Sequence, residues 1–184
     1  NISRSYSIAN SPDQEGVLEL HIRKRENGVC SEMIFGAEPK IKEKGIVRVK
    51  GPLGTFTLQK DSDKPIILLA TGTGYAPIRS ILLDLIHQNS ERPVHFYWGA
   101  RQQEDLYALE EAEALIGRLK NAKFSPVLSK PDSGWKGENG YVQNVAAQNY
   151  PDLSQYEVYA CGSLAMTESA QSLLTQKCAL PEDA

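Results

Sequence analysis

The chain has no apolar run approaching the roughly 20 residues of a membrane-spanning helix, and no signal-peptide pattern opens it. Charge of either sign is in little excess. Twenty Lys and Arg against 23 Asp and Glu leave a net charge of −3, which gives no basic surface for nucleic acid or anionic lipid. Cysteine is scarce. Cys30, Cys161 and Cys178 form neither a C-x-x-C pair nor an even disulfide framework, and the cluster of a plant-type [2Fe–2S] domain is missing. A reducing, cytoplasmic setting is the expectation, with no metal site. Two familiar phosphate motifs are also absent. No Gly-Lys-Ser/Thr marks a Walker loop, and Pro77 occupies the third glycine position of G-x-G-x-x-G. There are no internal repeats and no low-complexity tract.

What is present changes character about a third of the way along. To about Lys60 the pattern is antiparallel β. Ser3–Ala9 and Val17–Lys24 alternate polar and apolar about a turn at 11–16, and Ile46–Lys50 predicts a further strand before the turn Gly51-Pro52-Leu53-Gly54. A short helix is expected at Ser31–Phe35, capped by Ser31 and preceded by Gly28. After a linker at Asp61–Pro65, strands are predicted at Ile66–Thr71, Val94–Gly99, Lys123–Leu128 and Glu157–Cys161. Helices are predicted at Ala76–Gln88, Glu104–Leu119, Val142–Gln148 and Met166–Lys177. Alternation of this kind gives a parallel, doubly wound sheet whose ligands lie outside the carboxyl ends of its strands. The expected fold is therefore an α/β nucleotide-binding domain, 63–184, preceded by an antiparallel β part, 1–62. Both ends read as cut, since the first segment already behaves as a strand inside a larger unit and the α/β part stops one strand short.

The segment Ala70-Thr71-Gly72-Thr73-Gly74-Tyr75-Ala76-Pro77 joins a buried apolar strand to a helix. Glycines without Cβ atoms let backbone N–H groups approach an anion, and the helix N-terminus adds partial positive charge. Pro77 sits where a missing N–H costs little. The same pattern also serves as a plain strand cap. Arg4-Ser5-Tyr6-Ser7 offers an Arg fork for a diphosphate, a stacking ring and a small donor, or else an exposed Arg beside a half-buried strand Tyr. Gly28-Val29-Cys30-Ser31 opens a helix, as an anion site or an ordinary cap. The polar clusters at Gly99–Arg101, Ser129–Pro131 and Cys161–Ser163 all fall at predicted strand ends.

Taken in order, these pieces resemble the ferredoxin–NADP reductase superfamily. Arg4-Ser5-Tyr6-Ser7 matches RxYS, Gly28–Ser31 matches GxxS, Gly51–Gly54 matches GPxG, and Gly72–Pro77 matches GTGxAP; the resemblance thus implies that 1–62 is part of an antiparallel FAD-binding β-barrel. The runs 97–101 with 105–107, and 159–162, match as well, and 135–142 fits the WxGxxGxV element of its bacterial branch. Bacterial NAD(P)H-flavin reductases, with the CDP-6-deoxyglucoseen reductase and phenol hydroxylase reductase types, are the most similar groups.

The resemblance implies an enzyme passing hydride from NAD(P)H to flavin, and electrons on to a ferredoxin, a fused [2Fe–2S] domain or another one-electron acceptor. FAD is implied over FMN because GxxS is a diphosphate turn. It implies Arg4, Tyr6, Ser7, His21, Ile22, Arg23, Gly28, Val29, Cys30 and Ser31 around the flavin. Thr71, Gly72, Thr73, Gly74, Ala76, Pro77, Gly99, Arg101, Ser129, Cys161, Gly162 and Met166 are implied around the nicotinamide nucleotide. Ser7 and Cys161 lie nearest the chemistry. Arg101 and Ser129-Lys130 would suit a 2′-phosphate, yet the context of Arg101 is that of NADH users, so NADH is expected and NADPH is the alternative. A non-catalytic regulatory subunit and a flavin-free nucleotide module are the rival expectations.

Overall fold

A computed structural model describes residues 2–184. Its centre is a five-stranded, all-parallel sheet built from β1 (Ile66–Thr71), β2 (Val94–Ala100), β3 (Ala122–Leu128), β4 (Glu138–Asn139) and β5 (Glu157–Cys161). The strands lie in the order β4-β3-β2-β1-β5. The register sets Leu68 opposite Phe96 on one side and Tyr159 on the other. Five helices accompany them: α1 (Val29–Phe35), α2 (Tyr75–His87), α3 (Leu109–Ile116), α4 (Val142–Asn149) and α5 (Leu164–Lys177).

Strand periodicity sorts the core into two layers. Ile66, Leu68 and Ala70 point with Phe96 and Trp98 toward Ile78, Leu82 and Leu85 of α2 and Ala112 and Ile116 of α3. Ile67, Leu69 and Tyr97 point the other way, toward Val145 and Ala146 of α4 and Met166, Ala170 and Leu174 of α5. β1 is buried on both faces, which is why it reads as an unbroken Ile-Ile-Leu-Leu run. Each such side chain withdrawn from water contributes about 2 kcal/mol.

The amino ends of the strands carry two polar clusters. Arg92 and Glu157 form a buried ion pair at 2.7 Å, and Tyr159 donates to the same carboxylate at 3.0 Å. Arg92 also donates to the carbonyls of Lys64 and Gln59, while the Gln59 N–H donates to the Tyr159 hydroxyl. The linker is thereby fastened to the sheet. Burial opposes the Glu157 charge, but hydrogen bonds from Ser62, Arg92 and Tyr159 outweigh it and hold this carboxyl below its usual range. Nearby, His95 is stacked on Tyr97 at 4.1 Å and hydrogen-bonds Tyr150 and Ser125, each at 2.9 Å. Burial, with the Lys123 charge, pulls its pKa down to about 4.

Residues 2–60 depart from expectation. The segments 3–9 and 17–24 run extended but share one antiparallel bridge, Ile8 to Leu20, with the Ala9 N–H donating to Glu19. Segment 46–50 forms no strand, and Ile46 is fully exposed. Alternation marks the two faces of a strand, but pairing needs a neighbour of matching register, and the described residues supply none. Three smaller differences have local causes. Helix α1 starts at Val29 with Gly28 as its cap, because the Ser31 hydroxyl instead accepts the Arg25 N–H at 2.9 Å. The predicted helix 104–119 breaks into a single 3₁₀ turn at Gln103–Asp105 and then α3. Between them Leu106 turns into the core and Tyr107 toward the first part of the chain. β4 has two residues, too few to show a period.

Candidate functional site

A cleft of about 1270 Å³ opens at the carboxyl ends of β1, β2, β3 and β5, and residues 4–7 and 21–31 form its opposite wall. On the sheet side, Gly72–Gly74 makes one 3₁₀ turn leading into α2, where the Tyr75 N–H donates to the Gly72 and Thr73 carbonyls. Gly72 has φ +53°, a left-handed conformation that favours glycine. Gly74 is needed for a different reason. A Cβ there would collide with the Cys161 carbonyl, so the loop lies directly on the end of β5. Gly162 is similarly confined by the Thr71 hydroxyl, which accepts the Ser163 N–H at 3.1 Å. Trp98 donates its indole N–H to the Gly72 carbonyl at 3.2 Å and stacks on Tyr75 at 4.3 Å. The loop is therefore held from below, while the start of the 13-residue helix α2 supplies positive potential above it.

Helix α5 also begins at the cleft, with Ser163 as its cap accepting the Met166 N–H. Cys161 ends β5 there, half-buried. Burial raises its thiol pKa, so at neutral pH it is an uncharged –SH rather than a thiolate nucleophile. On α4, Gln143 is 6% exposed and donates to Ser169 at 3.1 Å. Gln143 lines the cleft, and its buried Oε1 has no partner among the described residues. A buried acceptor in that condition costs free energy until a donor arrives.

On the opposite wall, the exposed Arg4 donates to the carbonyl of Ser3 and to no other described residue. The Tyr6 hydroxyl stands beside Cys30; that hydrogen bond, together with burial, raises its pKa. His21 is 14% exposed and clamped, with Nδ1 2.6 Å from the Tyr107 hydroxyl and Nε2 3.1 Å from Glu19. Arg23 reaches Asp105 at 3.5 Å.

Of the residues expected from sequence, the cleft collects Arg4, Tyr6, Ser7, His21, Arg23, Gly28–Ser31, Thr71–Gly74, Ala76, Gly99, Arg101, Ser129, Cys161, Gly162 and Met166. Two expected residues do not line it. Ile22 turns from the wall because its strand neighbours His21 and Arg23 face inward. Pro77 is buried in the first turn of α2, where it shapes the helix start without lining the cavity. Sequence reasoning missed Tyr141, Gln143 and Asn144. The available signal is the glycine-spaced run 135–142, which contains Tyr141 and stops just before Gln143 and Asn144.

Residues 68–172 match the family model described as "Oxidoreductase NAD-binding domain", and residues 1–58 match "Oxidoreductase FAD-binding domain". The chain belongs to this oxidoreductase family. It is 44% identical over 169 residues to the Yersinia pestis protein named "CDP-6-deoxy-L-threo-D-glycero-4-hexulose-3-dehydrase reductase", covering 92% of this chain and 50% of that one. It is 34% identical to the "NAD(P)H-flavin reductase" of Vibrio harveyi, covering 94% of this chain and 74% of that one. A solved structure titled "Ferredoxin reductase in carbazole 1,9a-dioxygenase" superposes with TM-score 0.80 at 22% identity, over 99% of this chain and 54% of that one; this likeness speaks for the fold. The chain spans about half the length of the first of these relatives.

The residues present fit the two cofactors such domains take. The volume exceeds the roughly 300–1000 Å³ of a single small-ligand site. Gly74 and Gly162 let the turn pack on the end of β5 and on Thr71 with no Cβ between them, and Gly72, where an added Cβ would meet nothing within 4 Å, keeps the outer side of the turn open. The orphaned Gln143 carbonyl marks a place where a ligand donor is wanted.

Proposed function

We propose that this chain is the cofactor-binding portion of an NAD(P)H-dependent flavoprotein reductase, with residues 1–62 on the flavin side and 63–184 on the nucleotide side. One observation carries the reading: Tyr6 and Ser7 line the same cleft as Thr73 and Cys161, although more than 60 residues separate the two groups. Bound there, FAD and a nicotinamide nucleotide supply the hydride and electron chemistry, and the chain supplies position and electrostatics. Arg4 neutralises the flavin diphosphate, with the backbone of Gly28–Ser31. Tyr6 presents a ring to the flavin, and Ser7 its hydroxyl. The Gly72–Gly74 turn and the start of α2 receive the nucleotide diphosphate.

Cys161 has a positioning role. A small uncharged thiol at the end of β5 would leave the nicotinamide ring room to come close and lie in line. Arg101 and Ser129 stand where the adenosine end would lie. NADH is favoured by the context of Arg101, with NADPH as the alternative. The electron acceptor is a ferredoxin or a fused [2Fe–2S] domain, and the three unpaired cysteines agree with a reducing cytoplasm.

The test is anaerobic stopped-flow. The FAD-loaded protein is expected to be yellow and to bleach on mixing with NADH. Arg4→Ala lowers flavin occupancy, while Cys161→Ala retains flavin but slows bleaching about tenfold, the scale of a sub-ångström loss of alignment. A protein that binds FAD yet is not bleached by NADH or NADPH refutes the reductase reading, and unchanged bleaching in Cys161→Ala removes that residue from the site.

A further inference from the structure

We propose that Arg79 is a positioning residue, a clasp that fixes one wall of the cleft relative to the other. The inference rests on the reductase reading for its kinetic consequence, but its structural half stands on contacts alone. Arg79 lies one turn into α2, just beyond the nucleotide loop, and its side chain is 12% exposed. Nε donates to Glu111 of α3 at 2.8 Å. Nη1 crosses to the first part of the chain, donating to the Ala9 carbonyl at 2.9 Å and to the Glu19 carboxylate at 3.1 Å.

A single guanidinium therefore joins two carboxylates, one from each side of the linker, that would otherwise repel. The neighbouring residue repeats the grip, since Ser80 donates to the Asn10 carbonyl at 2.8 Å. Under this grip Ala9, Asn10 and Ser11 are buried, although most of residues 2–60 is exposed.

The clasp connects to cleft residues in both directions. On one side, Ala9 is two residues beyond Ser7, and Glu19 holds His21. On the other, Glu111 accepts the Tyr75 hydroxyl at 3.1 Å, and Tyr75 directly follows the Gly72–Gly74 turn. His21 closes the circuit through the Tyr107 hydroxyl. Arg79 itself does not line the cleft. Its planar fork offers the three donors from two nitrogens in fixed directions, whereas an ammonium offers its three from a single point.

Two measurements on the intact protein test the clasp, one of which needs no cofactor. Hydrogen exchange in Arg79→Met is expected to quicken at least about tenfold at the amides of residues 9–11 and 19 while those of β1 and β2 keep their protection. In stopped-flow with saturating NADH, the same variant is expected to bleach its flavin about tenfold more slowly, with nucleotide Kd changed less than about threefold, because a shift of an ångström between reactants costs rate rather than binding. Arg79→Lys should fall between Met and wild type in both measurements.

Unchanged exchange at residues 9–11 and 19 overturns the clasp. Altered exchange with an unchanged limiting rate overturns its positioning role, as does a rate loss that merely follows a weakened Kd. If Arg79→Met fails to fold, Glu19→Gln and Arg79→Lys carry the same two readouts. A wild-type protein that NADH does not bleach would refute the reductase reading, and the exchange comparison would still decide the clasp.

Discussion

The nucleotide side and the flavin side of this molecule contain similar sequence signals but differ in how far they become structure. From Ile66 onward, each strand finds its partner inside the same stretch, and α2 to α5 cover both faces of the sheet. Before Lys60, alternation just as regular yields extended chain with one bridge and a row of exposed apolar residues, including Ile46, Val49 and Leu53. The lesson is that periodicity specifies which face of a strand is apolar, whereas the existence of the strand depends on a neighbour. A β-α-β unit carries its own neighbour, while a lone antiparallel segment must be given one.

The comparison can be sharpened by substitution, beginning where contact is closest. Gly74→Val drives side-chain atoms into the Cys161 carbonyl. It should cost about 3 kcal/mol or more by overpacking against backbone that has nowhere to go, and abolish nucleotide binding, as seen by thermal melting and by titration with NADH. A melting temperature equal to wild type would show that the loop does not lie on β5.

A smaller effect is expected from pH. The folded pKa of His95, about 4, lies below its ordinary 6.5, so the unfolded chain takes up a proton first as pH falls. His95 therefore adds stability fully present above about pH 6.5 and progressively lost toward pH 4, amounting to about 2 kcal/mol after discounting for screening by solvent. Denaturant titrations from pH 7 to 4 should show this slope in wild type and a shallower one in His95→Gln. Parallel slopes would mean that the histidine titrates alike in the folded and the unfolded chain.

The smallest effect is expected on the flavin side. Ile46→Lys should change stability by less than about 0.5 kcal/mol, as surface substitutions generally do. A large loss there would break the contrast and show that segment 46–50 is packed in solution.

Much of the nucleotide side was legible in the sequence. β1 and β5 run between the residues expected of them, and α2 is displaced by one residue, because their signals were local: an apolar run, a glycine turn, a helical period. The break at Leu106–Ala108 was not legible, since it is caused by Tyr107 reaching His21 from 86 residues away. The cleft was legible as motifs at strand ends, but which residues faced it was not settled by motif membership. Pro77 belongs to the glycine loop motif yet is buried, and Gln143, assigned to no motif, presents an unpartnered oxygen. Neither outcome can be read before the helices are packed.

The indole of Trp98 has a practical consequence. It is one of only two tryptophans in the chain, wholly buried, and bonded to the carbonyl of Gly72. Its emission should therefore respond when that carbonyl shifts, giving the protein an intrinsic optical gauge of what occupies the turn above it, with no dye or label attached.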